Sequence, residues 1–217
     1  MSIGIILADD HKIVREGLRA LLEKQPDFDV IGEAENGRDT IQLALQLVPD
    51  VVIMDITMPD LNGIEATQRL THELPEVRVI GLSMHYDKRY IIKMLSAGAW
   101  GYLRKACASE EVIRAIHTVM SGKYYISDGT SSITVKNKEQ YLKANQPLDF
   151  SVLTPKEREI LQLITEGKLT KEIAYELHLS VKTVEKHRYN VMEKLNMHSV
   201  AELTKFAITE GMTTLEK

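Results

Sequence analysis

The sequence predicts a two-part fold: an α/β doubly wound domain on a five-stranded parallel sheet, then an all-α domain of four helices. Two observations carry this. Over roughly the first 120 residues, short apolar runs alternate with helix-period patterns, as in a parallel sheet wrapped by helices. From Ser151 onward strand patterns stop, and only capped, helix-period segments remain.

The expected strands are Ile3–Ala8, Val30–Ala34, Val51–Met54, Val77–Leu82 and Ala99–Leu103. Most are nearly unbroken runs of Val, Ile and Leu, the signature of strands buried on both faces. Between them, Ile13, Val14, Leu18, Leu21 and Leu22 repeat at helical spacing ahead of Pro26. Ile41, Leu45 and Val48 form a second stripe, opened by Asn36 and closed by Pro49. Ile64 to Leu74 and Tyr90 to Leu95 follow, and Ser109 opens a fifth helix with Glu110 and Glu111 where the helix dipole favours acids.

Residues 1–122 therefore read as the first domain. The stretch 123–150, rich in Ser, Thr, Lys, Asn and Gln, reads as a linker with one short helix around Lys138–Lys143. Residues 151–217 form the second domain. Thr154-Pro155-Lys156-Glu157 is a capping box with Pro at the first helical position. Its helix carries Ile160, Leu161, Leu163 and Ile164 and stops at Gly167. Thr170 opens a short helix, His178-Leu179-Ser180 makes a tight turn, and Ser180 caps a helix running to about Leu195. Ser199 and Glu202 form another capping box, opening a helix that ends at Gly211. Two middle helices joined by a three-residue turn fit a helix-turn-helix.

Composition narrows the function classes. The chain has 217 residues, 44% hydrophobic and 27% charged, enough apolar side chains for two cores. No apolar run reaches the length of a membrane span, and MSIGIILADDH lacks the pattern of a secretory signal. Its one cysteine, Cys107, excludes an internal disulfide and a Cys-rich zinc site. A cytoplasmic protein without a membrane partner is expected. The net charge of −4 lies wholly in residues 1–126, while residues 151–217 are neutral.

Ligands of doubly wound sheets bind beyond the carboxyl ends of the strands. There this chain places Asp9 and Asp10 after strand one, Asp55 after strand three, Ser83 after strand four and Lys105 after strand five. Three converging carboxylates call for a hard cation, and Mg2+ is typically held by carboxylates, water and phosphate oxygens. A lysine and a hydroxyl suit the remaining phosphoryl oxygens. A carboxylate can itself be the nucleophile, giving an aspartyl-phosphate. Singly, each residue has a plainer reading: Asp10 as a helix N-cap, Lys105 as a solvated surface residue. The set is what points to phosphoryl chemistry.

LADDH, VVIMDITMPDLNG, GLSMH and GAWGYLRK resemble the receiver domain of bacterial response regulators, a flavodoxin-like fold, over residues 3 to about 121. The resemblance implies Asp55 as the phosphoacceptor, charged by a sensor histidine kinase. It implies Asp10 as a direct Mg2+ ligand with Asp9 assisting, and the backbone carbonyl of Thr57 as a further ligand. Ser83 and Lys105 would contact phosphoryl oxygens, and Tyr102 matches the family's aromatic switch position; ordinary packing is the alternative for Tyr102. Many receivers place Pro after the lysine where this chain has Ala106, which leaves the geometry of the 105–106 bond open.

In the second domain, Lys182, Glu185, Lys186 and Tyr189 share one face of the helix after Ser180, with Val184, Val191 and Leu195 opposite. Such a helix fits the DNA major groove, where Lys reads guanine acceptors and Glu accepts from cytosine. A solvated charged face is the plainer reading. LTPKEREILQLITEGKLTKEIAYELHLSVKTVEKHRYNVMEKLN resembles the LuxR-type helix-turn-helix over residues 153 to about 207. This resemblance implies Thr170–Leu177 as scaffold helix and Val181–Leu195 as recognition helix. Lys182, Glu185, Lys186 and Tyr189 are expected to face bases. Thr183, His187, Arg188 and Lys171 are expected to make phosphate or positioning contacts, with bracing of the turn as the alternative for His187.

Receiver, linker and LuxR-type domain in this order resemble the NarL/FixJ family of transcriptional regulators. The resemblance implies a chain that is not an enzyme, whose phosphorylation controls homodimerisation and binding to double-stranded DNA, with RNA polymerase as a further partner. Two other readings stay open: a DNA-binding regulator whose receiver acts without phosphorylation, and a Mg2+-dependent phosphatase passing through an aspartyl-phosphate. Against the latter, no DxD follows Asp55 to supply a second acid.

Overall fold

The computed structural model describes residues 2–84, 88–107, 109–127, 132–135, 152–210 and 212–213. The short helix expected around Lys138–Lys143, and Gly211 as a helix stop, lie outside them. The chain divides into two compact units, one holding a sheet and its helices, the other the C-terminal helices.

The first unit follows β1 (Ile3–Ala8), α1 (Lys12–Leu22), β2 (Phe28–Ala34), α2 (Gly37–Leu47), β3 (Val51–Asp55), α3 (Gly63–Glu73), β4 (Arg78–Ser83), α4 (Lys88–Ser96), β5 (Gly101–Arg104) and α5 (Ser109–Met120). These five strands are parallel in the order β2-β1-β3-β4-β5. Ile5, Leu7, Val51, Ile53, Ile80, Leu82 and Leu103 form one apolar core with Val112, Ala115, Ile116 and Val119 of α5. Burial on both faces is what the unbroken apolar runs required.

Two features differ from the expectation. Among the described residues the sheet has seven strands: β6 (Tyr124–Ser127) adds parallel to β5, and β7 (Ser132–Val135) pairs antiparallel with β6. Both lie within the stretch read as linker. Four-residue strands set among polar residues are too short to show a period, but Tyr125 is 1% exposed and completes the core. Trp100 stacks on Tyr124 at 4.7 Å between ring centroids, and the Arg78 guanidinium lies 4.0 Å over the indole, fastening β6 at its first residue. The second difference is on α2, whose buried line is Gly37, Thr40 and Ala44. Leu45 and Val48 of the expected apolar stripe are exposed. Small side chains let this helix approach its neighbours closely, and periodicity of large residues does not report that.

The second unit comprises α6 (Pro155–Thr165), α7 (Thr170–Glu176), α8 (Val181–Leu195) and α9 (Val200–Thr209). The capping boxes at Thr154/Glu157 and Ser199/Glu202 both form, and Ser180 accepts from the Thr183 N–H. Thr170 opens α7 as expected, with Leu169 at the N-cap, and Glu172 accepts from the Leu169 N–H at 2.7 Å. His178 takes a left-handed φ of 53° between α7 and α8. Ile160, Leu163, Ile173, Leu177 and Val184 pack together, and Leu161, Val191 and Leu203 form the adjoining cluster.

Candidate functional site

At the carboxyl edge of the sheet the structure gathers four of the expected side chains. Asp55 ends β3, Asp9 and Asp10 follow β1, and Lys105 follows β5. The Lys105 ammonium lies 2.7 Å from Asp9 Oδ2 and 2.9 Å from Asp55 Oδ2, with all three side chains nearly closed to solvent. Lys105 is aimed by its backbone, which donates to the Ser83 carbonyl at 2.8 Å. Asp10 is the less enclosed acid, its side chain 34% exposed.

Burial, reinforced by the charge on Asp9, pushes the Asp55 carboxyl up to about 7, while Lys105 opposes the rise. Burial alone would lower the Lys105 ammonium, but Asp55 and Asp9 more than reverse this and hold it above its ordinary value. The cluster thus carries more negative charge than its one lysine compensates.

Ligand oxygens of Asp9, Asp10 and Asp55, together with a ring nitrogen of His11, lie within 4.8 Å of one another. Hard oxygen donors converging on a charge-deficient spot suit Mg2+. His11 is not among the residues expected at the site, yet its Nδ1 lies 2.6 Å from Asp10 Oδ1 and its backbone N–H donates to Asp9 Oδ1 at 2.9 Å. Nor is Arg15, which is 5% exposed and donates to the Asp9 carbonyl. Adjacency of His11 to the two acids was the available signal; nothing in the helix pattern marks Arg15 as buried.

Ser83, the last residue of β4, and Tyr102 on β5 are each 1% exposed, so the tyrosine ring is buried. Thr57 is half-buried in the loop after β3. That loop starts with Ile56 donating to the Leu82 carbonyl and closes with Gly63 donating to the Ile56 carbonyl. Among the described residues no peptide bond is cis, so the 105–106 bond, which the sequence leaves open, is trans.

In the second unit, Lys182, Glu185, Lys186 and Tyr189 are all exposed on α8, with Tyr189 at 63%. Val184 and Val191, opposite, are buried. Thr183 is half-buried, and its hydroxyl lies 2.7 Å from that of Ser180, at the start of the helix. His187 and Arg188 are half-buried and Lys171 is exposed near the start of α7. Tyr175, unremarked in the sequence, is 85% exposed on α7.

Residues 5–117 match the response regulator receiver domain family, and residues 151–207 match the bacterial regulatory proteins of the luxR family. The response regulator UvrY of Escherichia coli K12 is 37% identical over 214 residues, covering 99% of this chain and 97% of that protein. The oxygen regulatory protein NreC of Staphylococcus carnosus is 40% identical over 214 residues, covering 96% and 98%. Among solved structures, RcsB of Salmonella enterica serovar Typhimurium, bound to promoter rprA in the presence of the phosphomimetic BeF3-, superposes with a TM-score of 0.63. It is 26% identical, covering 95% of this chain and 98% of that one. The receiver match over the acid cluster, the luxR match over the helix-turn-helix and the 37% identity to UvrY along almost the whole chain place the chain among the two-component response regulators of the NarL/FixJ type, a receiver domain followed by a LuxR-type DNA-binding domain.

Proposed function

We propose that Asp55 is the phosphoacceptor of this response regulator and that its phosphorylation by a sensor histidine kinase controls homodimerisation and sequence-specific binding to double-stranded DNA. The observation that carries this reading is Lys105, whose ammonium bridges buried Asp9 and Asp55 at the carboxyl edge of the sheet. An Asp55 oxygen attacks phosphorus, the new P–O bond forms as the P–N bond to the kinase histidine breaks, and the leaving nitrogen keeps its electron pair and takes a proton. Lys105, already within ion-pair distance of the attacking carboxylate, neutralises charge on the incoming group, and the Ser83 hydroxyl supplies a donor from the neighbouring strand. Mg2+, held by Asp9, Asp10, Asp55 and the Thr57 carbonyl, would offset the charge of the phosphoryl oxygens. Tyr102, two residues before the end of β5 and in register with Gly81 of β4 and Ile126 of β6, is the switch residue in this reading.

Residues 1–122 are the receiver in this reading, 151–217 the DNA-binding domain and 123–150 the connection. Lys182, Glu185, Lys186 and Tyr189 face base edges in the major groove; Lys171, Thr183, His187 and Arg188 serve the phosphates and the turn. A dimer reads two half-sites about one helical turn apart. The chain accepts a phosphoryl group and turns over no substrate of its own. It works in the cytoplasm, where promoter-bound dimers meet RNA polymerase.

Asp55→Asn tests the acceptor. Incubated with acetyl phosphate and Mg2+, the wild type acquires an acid-stable, base-labile phosphoryl group and Asp55→Asn acquires none. Equal labelling of the two removes Asp55 from the role.

A further inference from the structure

The geometry points to Arg15 as a positioning residue for the Mg2+ site: its guanidinium sets the peptide plane that joins Asp9 to Asp10, and thereby the aim of two carboxylates. The inference rests on the reading of Asp9, Asp10 and Asp55 as Mg2+ ligands.

Arg15 lies in the first turns of α1, where the sequence places a polar residue on an amphipathic helix, yet it is 5% exposed. An arginine is buried to this degree only when its donors are engaged. Nη1 donates to the Asp9 carbonyl at 2.6 Å, Nε to Glu33 Oε2 at 3.2 Å and Nη2 to Glu35 Oε1 at 2.5 Å. Glu33 is itself held from its other oxygen by Arg19 at 2.5 Å. The guanidinium therefore ties α1 to β2 and its following loop, and delivers one donor to the loop after β1.

That donor falls on a particular peptide. The Asp9 carbonyl and the Asp10 N–H belong to one rigid plane. Upstream, Asp9 is fixed by its N–H to the Ala34 carbonyl at 3.1 Å, and its side chain by the His11 N–H and Lys105. Asp10 has no such enclosure: its side chain is 34% exposed against 2% for Asp9. Besides the half-exposed His11 ring, whose Nδ1 lies 2.6 Å from Asp10 Oδ1, its direction is set by the plane it hangs on, and Arg15 holds that plane by its oxygen. Glu33 and Glu35 offset the guanidinium charge, so the donor reaches the site without a competing cation beside it. A fork with three fixed directions suits arginine; lysine offers a single point charge.

The test titrates Mg2+ by isothermal calorimetry into the full chain as wild type, Arg15→Lys, Arg15→Ala, Glu35→Gln and Asp10→Asn, each checked by circular dichroism at the same temperature. Groups that orient metal ligands through hydrogen bonds typically cost 10–100-fold in affinity when removed, so Arg15→Ala should weaken Mg2+ binding by about 10-fold. Arg15→Lys should fall between it and the wild type. Glu35→Gln removes an ion pair whose acid is 67% exposed and should stay within about twofold. If Arg15→Ala does not fold, Arg15→Lys decides, weaker binding supporting the inference and unchanged binding overturning it. Folded Arg15 variants that bind Mg2+ like the wild type overturn it, as does Glu35→Gln weakening binding as much as Arg15→Ala. A wild type that binds no Mg2+, or an Asp10→Asn variant that binds like it, would instead sink the underlying reading of the site.

Discussion

Gly63, at the start of α3, lies so close to Asp55 that a Cβ built on it would stand 1.9 Å from the Asp55 carbonyl oxygen. The loop that leaves the acceptor aspartate thus returns onto its backbone, and only a residue without a side chain fits. Asn62 secures the return by accepting from the N–H groups of Ile64 and Glu65. Gly63→Ala must push the loop off β3. Overpacking costs about 1–3 kcal/mol, and here the obstacle is backbone, which cannot rotate aside. Urea unfolding should show a loss of at least that order, with slower phosphoryl uptake in the fraction that folds; unchanged stability would mean that the loop relaxes freely.

Asp55 carries a pH prediction. Burial and the neighbouring Asp9 raise its folded-state value from 3.8 to about 7. Between those values the folded chain binds more protons than the unfolded chain, so this group's contribution to stability falls as pH rises through about 7. In metal-free buffer, Asp55→Asn should therefore gain stability over the wild type at pH 8 and lose that advantage near pH 4. A difference that stays constant across this range contradicts the assignment.

Glu157 behaves in the opposite sense. Its burial would raise the carboxyl, but hydrogen bonds from Lys194, at 2.6 Å, and from Thr154 hold it below its ordinary 4.5. A depressed value means stability that is complete above 4.5 and lost as pH falls through the folded-state value. Acid unfolding of the C-terminal helices should begin below about pH 4.5, and Glu157→Gln should flatten the pH dependence there. Helical circular dichroism followed from pH 6 to pH 2 measures both.

Lys186 is exposed on the recognition face of α8. If it reads a base, Lys186→Ala should cost about 1–3 kcal/mol on the specific site and relax preference at one position. If it holds a phosphate, binding should weaken alike on all sequences and the salt slope should drop by about one. Titrations on specific and scrambled duplexes at two salt concentrations separate these, and no change in either would remove Lys186 from the interface.

Much of this protein was legible in the sequence because local rules govern it. Buried parallel strands announce themselves as unbroken apolar runs, and β1 is found at Ile3–Ala8 as read. Caps are equally local: Thr154, Ser180 and Ser199 all bond as their spacing requires. The strand-end rule places Asp9, Asp10, Asp55, Ser83 and Lys105 at one edge, since that placement follows from chain order and topology alone. What only the tertiary structure decided is long-range. β6 exists because Tyr125 fills the core and Trp100 stacks on Tyr124, contacts that four residues cannot declare in advance. Arg15 is buried because Glu33, Glu35 and the Asp9 carbonyl converge on it from other elements. Gly63 is needed because a loop folds back on a strand end. Periodicity records which face of an element is apolar; the partner that a side chain meets across the fold is set by packing.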